Sequence, residues 1–362
     1  MFYYIAVLGI AIILNPFFKK ENYRIYGVVI TVMLAFLAYH IEVLPTSDLT
    51  RHFSNIDMYR SMNFTKALSV CLSKDNPMTH IVFFIFSRFE DDRIFPAVMV
   101  FISYLLMINL ICNACEDMKL EKNIYNLCLA FLLLNYNFYL LTNAIRMWFV
   151  FSVFFYCLYE ESVRKKHRIF CWIIYCLLVL FHYASLILVL CRFVSFVTKG
   201  SLSSSRKLLI SILAVIALVL IVLYISTTDF SIFVMEKIDS YEEYSKRGTW
   251  QTIAGWIKIL MVVLMIISVR RFKENPNSYY NLTILLVFIL NISQISNYQM
   301  VLRFSDGMMA CASVILCQYM IKKTAANSKD ITVYDGAIFL GTAVNFAATM
   351  ILCYAKYLNF VW

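Results

Sequence analysis

The chain has little charge. Asp, Glu, Lys and Arg make up 15% of its 362 residues, against about 25% in soluble domains. It also lacks the short motifs of most soluble chemistry. It has no GxxxxGK[ST] phosphate loop, no GxGxxG after a strand, no HExxH and no GxSxG. No Asp-rich cluster suggests a metal site for a nucleotide sugar. The nearest stretch, "EDDR" (90–93), reads as a polar corner ahead of an apolar run. Cys112 and Cys115 form a CxxC with no second pair nearby. The 11 cysteines therefore read as small apolar fillers, not as a zinc or disulfide framework. No metal or cofactor is expected. Internal repeats and low-complexity linkers are missing too. The first apolar run, "MFYYIAVLGIAIILNPFF", has neither a basic leader nor a small-residue cleavage site, and reads as a retained helix.

What the chain does have is apolar surface. Hydrophobic residues are 62% of the total, aromatic residues 16%, and the mean hydropathy is +0.74. Runs of about 20 apolar residues recur throughout, the length that crosses a bilayer as a helix. The expected fold is an all-α polytopic integral membrane protein, one membrane domain over 1–362 with about twelve transmembrane helices. Their approximate limits are 2–18, 25–44, 94–114, 124–141, 145–160, 169–182, 183–198, 207–226, 252–270, 279–297, 303–321 and 333–355. The net charge of +10 marks cytoplasmic loops better than a nucleic-acid partner, because basic residues fall in every second short loop. Those loops are Lys19 to Arg24, "RKKHR" (164–168), Lys199 to Lys207, "RRFK" (270–273) and Lys322–Lys323. The alternation holds only if 45–93 is one large external region. It would carry an amphipathic helix around 52–72 and a re-entrant or interfacial helix around 78–89, "MTHIVFFIFSRF", which is too short to span. A second external loop covers 227–251. The short spans at 169–182 and 183–198 suggest a chain that turns near His182.

This topology brings polar residues to one level. Arg146 falls at the external end of span five, Arg303 at the external end of span eleven, and His182 at the external turn between spans six and seven. A single interfacial arginine can simply snorkel to headgroups. Several arginines at one level suit a lipid-linked diphosphate, since the guanidinium makes paired, charge-assisted bonds to phosphate oxygens. Ser185 lies at i+3 from His182. His182 is the favoured general base for a hydroxyl, and Asp48 is its rival, unless Asp48 caps a helix or both residues only orient an acceptor. Around Asp48, "TSDLTRHFSNIDMYR" (46–60) offers further sugar contacts, namely Arg51, His52 and Tyr59, with Ser185 opposite.

The order of these segments resembles the EpsG-like branch of the Wzy-type bacterial polysaccharide polymerases. "SDLTRHF…Y" follows span two, "NAIRMWFVF" opens span five, "FHYASLILVL" follows a basic loop, and "VLRFSDG" comes late. Arg146 matches the arginine of a family "IRQ" fragment, with Met147 in place of the glutamine. His182 and Ser185 match a family H-x-x-S pattern, and Asp48 matches an aspartate ahead of tyrosines. The resemblance implies a fold related to the O-antigen ligases. It implies transfer of a glycan from undecaprenyl diphosphate to the terminal sugar of another lipid-linked repeat unit, at the external face of the bacterial cytoplasmic membrane. The implied partners are lipid-linked repeat units, membrane lipid and a chain-length regulator. A flippase for the same lipid-linked glycan, an O-antigen ligase and other membrane transferases remain as alternatives.

Overall fold

The computed structural model describes residues 2–43, 45, 47–199, 249–270, 312–321 and 333–355, with isolated positions 284, 287, 308, 309, 323 and 360. The described chain is helical, apart from one bridge pairing Ile41 with Phe360. In order, the helices are α1 (Phe2–Leu14), α2 (Tyr23–Tyr39), α3 (Asp48–Arg60), α4 (Phe64–Leu72), α5 (Pro77–Phe86), α6 (Ile94–Asp117) and α7 (Lys122–Asn135). They continue with α8 (Phe138–Asn143), α9 (Ile145–Ser162), α10 (Arg168–Phe181), α11 (Ser185–Lys199), α12 (Thr249–Arg270), α13 (Ala312–Ile321) and α14 (Val333–Ala355). Arg303, the expected span at 207–226, and most of the 227–251 loop and of the 279–297 span lie outside the described residues.

Two helices among the described residues are long and apolar enough to cross a bilayer. They are the 20 residues Lys20–Tyr39, ending in α2, and the 24 residues of α6. At about 1.5 Å per residue they reach roughly 30 and 36 Å, against a hydrocarbon core of about 30 Å. α6 is the axis of the bundle. It buries 14 residues, and α2, α7 and α9 pack along it. α2 approaches closely because Gly27 has no side chain: a Cβ there would lie 2.5 Å from Ile108 Cγ2. Polar contacts set the chain directions. Arg24, at the start of α2, bonds Glu116 near the end of α6 at 2.7 Å, while Tyr39 bonds Asp91, just ahead of α6, at 2.6 Å. Hence α2 runs antiparallel to α6. Glu160, near the end of α9, accepts from Asn113 Nδ2 at 2.7 Å, so α9 runs parallel to α6.

Two expected elements are divided. The amphipathic stretch 52–72 is two helices, α3 and α4. Asn63 ends the gap between them by accepting from Lys66 N–H at 2.9 Å, a side-chain cap that restarts the helix. The apolar run 124–141 breaks at Tyr136–Asn137, where the backbone is extended. Broken backbone in an apolar core must find partners from side chains. Here Asn345 Nδ2 of α14 donates to Asn135 O at 3.1 Å, and Tyr104 of α6 donates to Tyr136 O at 2.8 Å. Asn137 then caps α8, accepting from Leu140 N–H at 3.0 Å. The break turns the chain at one end of the bundle and lets α9 begin there.

Apolar side chains also cover outward faces. On α2, Ile25, Val29, Val32 and Phe36 are exposed, and on α10, Ile169, Ile173, Leu177 and Leu180 are, opposite buried Cys171, Tyr175 and Leu178.

Charges gather at the far end of the bundle and are paired there. Arg164 meets Asp117 at 2.9 Å and Glu160 at 3.2 Å, beside a turn in which Lys165 and His167 take φ of 58° and 51°. Deeper in, Arg192 of α11 grips Glu161 of α9 with two bonds of 2.9 and 2.7 Å, and both side chains are 3% exposed. Tyr175 adds a third bond to the same carboxylate at 3.3 Å. Sequence reading passed over this pair. Removing one member strands the other charge in the core. Arg192→Met is therefore expected to destabilise by about 3–5 kcal/mol, and the double change Arg192→Met/Glu161→Leu by much less. Denaturation of the purified protein in detergent measures both.

Candidate functional site

The other end of the bundle holds the candidate site, and α3 supplies its first wall. Ser47 caps α3 by accepting from Thr50 N–H at 3.3 Å, so Asp48 is the first helical residue and not the cap. Asp48 pairs with Arg51 at 3.0 Å on the exposed face. The buried face carries Leu49, His52, Ile56 and Tyr59, at steps of three, four and three residues. Of the residues expected to serve together on this segment, His52 and Tyr59 turn inward and Asp48 and Arg51 outward. Asp57 and Arg60, also conspicuous in the sequence, form a clip with Asp92 that ties the end of α3 to the corner before α6.

α5 supplies the second wall. Pro77 starts it, as proline at a first helical position does. Thr79 Oγ1 then donates to the carbonyl of Phe181, the last residue of α10, at 2.6 Å in a buried contact. This bond joins α5 to the turn that carries His182. The next residue, His80, places Nδ1 3.0 Å from the Tyr59 hydroxyl. His52 is buried, its ring 5.3 Å from Phe83 and 5.9 Å from Phe95. Arg146, half-buried in the first turn of α9, lies within electrostatic range of both His52 and His80, and His182 within range of His52. The fold thus draws Arg146, His52, His80, His182 and Tyr59 to one place. His80 is the member that sequence reading missed. Its signal was the polar pair Thr79–His80 opening an otherwise apolar helix.

His182 ends α10 in extended backbone, and its Nδ1 accepts from Ala184 N–H at 3.1 Å. That nitrogen carries no proton, so the neutral ring presents Nε2–H, a donor. Ser185 opens α11, and its Oγ is buried without a hydrogen-bond partner. It lies in a narrow cleft between α9 and α11, with Met147, Val150, Phe151, His182, Ala184 and Leu188 around it. Ala144 precedes α9 with no side-chain cap, so the positive end of that helix dipole adds to the Arg146 charge. Arg146, His52 and His80 lie outside this narrow, mostly apolar cleft. A guanidinium, a helix start, an imidazole with a fixed tautomer and a buried hydroxyl all occur at this end of the bundle.

Burial, with these charges, holds His52 and His80 neutral. Burial pushes the His52 imidazole well below its usual range, and Arg146, Arg51, His182 and His80 add to this. His80 is pushed down to about 4 by burial, Lys74 and Arg146, with Asp75 opposing.

A separate group lies in the core. Cys115, Cys128 and Cys317 come from α6, α7 and α13, with Sγ atoms within 4.8 Å of one another. The described histidine, cysteine and acidic residues offer this one set close enough to hold a metal ion. Its Sγ–Sγ separations of 3.4 and 3.7 Å are also those of packed thiols.

Comparison of the chain with protein-family models, with curated proteins and with solved structures finds no match.

The lowered histidine values fix a pH dependence. Below pH 6.5 the unfolded chain takes up protons that folded His80 and His52 refuse, so stability falls as pH drops from 6.5 toward about 4. His80→Gln is expected to flatten part of that slope. Thermal unfolding across this window, for both forms, measures it.

Proposed function

We propose that the chain is a polytopic membrane glycosyltransferase. It transfers a glycan from undecaprenyl diphosphate to the terminal sugar hydroxyl of another lipid-linked repeat unit, as a polysaccharide polymerase does. The observation that carries this reading is the group formed by Arg146, His52, His80 and His182 at one end of the bundle, beside a cleft holding the Ser185 hydroxyl. The outward apolar faces of α2 and α10, and two helices of spanning length, support a bilayer as the surroundings. In this reading the cluster faces the exterior of the bacterial cytoplasmic membrane, and about twelve spans make up the domain.

The chemistry needs little else. The acceptor hydroxyl attacks the anomeric carbon of the donor sugar. The bond from that carbon to the diphosphate oxygen breaks, and undecaprenyl diphosphate leaves with the electron pair. Arg146 holds the diphosphate, and the α9 dipole favours its charge. His182 donates from Nε2 to the leaving oxygens or to a sugar hydroxyl. It acts as the base only if the Ala184 bond is given up, and its rival Asp48 lies on the outward face of α3, paired with Arg51. Arg303 is a second proposed grip on the diphosphate. Of the proposed sugar contacts, Arg51 is exposed, while Tyr59, His52 and Ser185 are buried and reach a sugar only when the α3–α5 helices shift. An O-antigen ligase would use the same donor site with another acceptor. A flippase would need its charge along the middle of a pathway, whereas this cluster sits at one end.

Purified protein incubated with lipid-linked repeat units is expected to give a ladder of longer glycans. Arg146→Lys keeps the charge but loses the two-pronged contact, and should cost about a hundredfold or more in rate. Asp48→Asn should abolish the ladder if Asp48 is the base, and leave most of it if Asp48 serves only the first turn of α3. A wild-type ladder from Arg146→Ala would contradict the diphosphate assignment.

A further inference from the structure

Three of the cysteines do more than fill space. Cys115 sits in the last turn of α6, Cys128 midway along α7 and Cys317 midway along α13, and their Sγ atoms meet within 4.8 Å of one another. The turn between α6 and α7 sets the first two against each other. Lys119 takes a left-handed φ of 53°, and Leu120 N–H returns to the Cys115 carbonyl at 2.9 Å, a pattern that closes a helix sharply. α7 therefore folds back against α6. α13 is buried from Ala312 to Tyr319, so it lies in the core, and it brings Cys317 within 3.4 Å of Cys128 and 3.7 Å of Cys115. All three side chains belong to residues at most 1% exposed. Cys112, one turn before Cys115, meets the Tyr125 hydroxyl instead, at 3.1 Å. Among the described residues, no fourth histidine, cysteine or carboxylate joins the three.

We propose that Cys115, Cys128 and Cys317 form a three-coordinate site for copper(I), which ties α6, α7 and α13 together. The donor set selects the ion. Sulfur ligands suit soft ions, copper(I) among them. Structural zinc closes with four ligands, and the described core offers three. The geometry is close to what such an ion needs. With metal–sulfur bonds of about 2.3 Å, the length of a zinc–thiolate bond, three sulfurs in a triangle around one ion lie about 4.0 Å apart. Two edges of this triangle are 3.4 and 3.7 Å, so the side chains need move outward by only a few tenths of an ångström there. Burial sets the proton balance, because net charge in an apolar core is costly. One thiol releases its proton to solution and binds as thiolate. The other two bind as neutral sulfur, so the copper charge is cancelled and no electron moves. Cys115 lies two residues before Asp117, which holds Arg164. The site is therefore at the end of the bundle away from Arg146, and it does not depend on the glycan reading.

The test is titration of copper(I) alone, under argon, into the reduced full-length protein in detergent, against a chromogenic copper(I) chelator. The expected result is a single equivalent held against the chelator, with release of about one proton per ion and a higher unfolding temperature. X-ray absorption of the loaded protein should show three sulfurs at about 2.3 Å. Cys115→Ala, Cys128→Ala and Cys317→Ala should each weaken binding by about a hundredfold or more, beyond the loss of a supporting contact. Cys191→Ala, at a buried cysteine outside the group, should leave it unchanged. If one of the three variants does not fold, the other two give the same reading. No equivalent held against the chelator, or one held equally by all three variants, overturns the proposal and leaves the group as packed thiols. A two-sulfur site lost in only two of the variants overturns the threefold coordination.

Discussion

Burial of titratable rings near Arg146 sets the character of the site end of the bundle. His52 is surrounded by Arg146, Arg51, His182 and His80, and all four are basic groups. Burying such a group costs free energy unless the rings stay neutral or an anion joins them. The folded chain takes the first course, and burial lowers the His52 and His80 values. Local geometry helps. The Ala184 N–H fixes the His182 tautomer, phenylalanines enclose His52, and the Tyr59 hydroxyl meets His80 Nδ1. The fold thus holds the Arg146 guanidinium, the His52 and His80 rings and the His182 turn at one end of the bundle.

The far end shows the contrast. Arg24, Arg164 and Arg192 each meet carboxylates, on Glu116, on Asp117 and Glu160, and on Glu161. The Arg192–Glu161 pair closes α11 onto α9 in the core, and the outer pairs join α2 and α9 to the end of α6. Charge there meets charge and is consistent with a structural role. Ion pairs also occur at the site end, where Arg51 meets Asp48 and Arg60 meets Asp57 and Asp92. The break at Tyr136–Asn137 connects the two ends, since it ends the climb of α7 and starts α9 at the site.

Much of this was legible in the sequence. Apolar run lengths placed α6, α9, α10 and α14 nearly to their ends and overran the ends of α1 and α2, because burial of long apolar stretches leaves few alternatives to helix. Arg146, His182 and Ser185 stood out because polar groups are rare in such runs. The division of α7 from α8 was hidden. It depends on Asn345 and Tyr104, which are distant in sequence and satisfy the broken backbone. His80 was hidden for a similar reason. Its meaning comes from Tyr59, 21 residues earlier, and from a helix end more than 100 residues later that Thr79 binds. Arg192 and Glu161 lie 31 residues apart, and nothing local marks them as partners. Pairwise contacts across helices are what periodicity and composition do not encode.

The central claim is that Arg146 and the histidines form an anion site at one face of a membrane, with the α3–α5 helices over it and the Arg164 turn at the opposite face. Sidedness tests this most directly. Ser54 on α3 and Lys166 in the turn before α10 are both exposed, and each is replaced by cysteine in a cysteine-free background. A membrane-impermeant maleimide is then added to intact cells. The account predicts that cysteine at position 54 is labelled from outside and that cysteine at position 166 is labelled only after the membrane is opened. Labelling of both from the same side would contradict it.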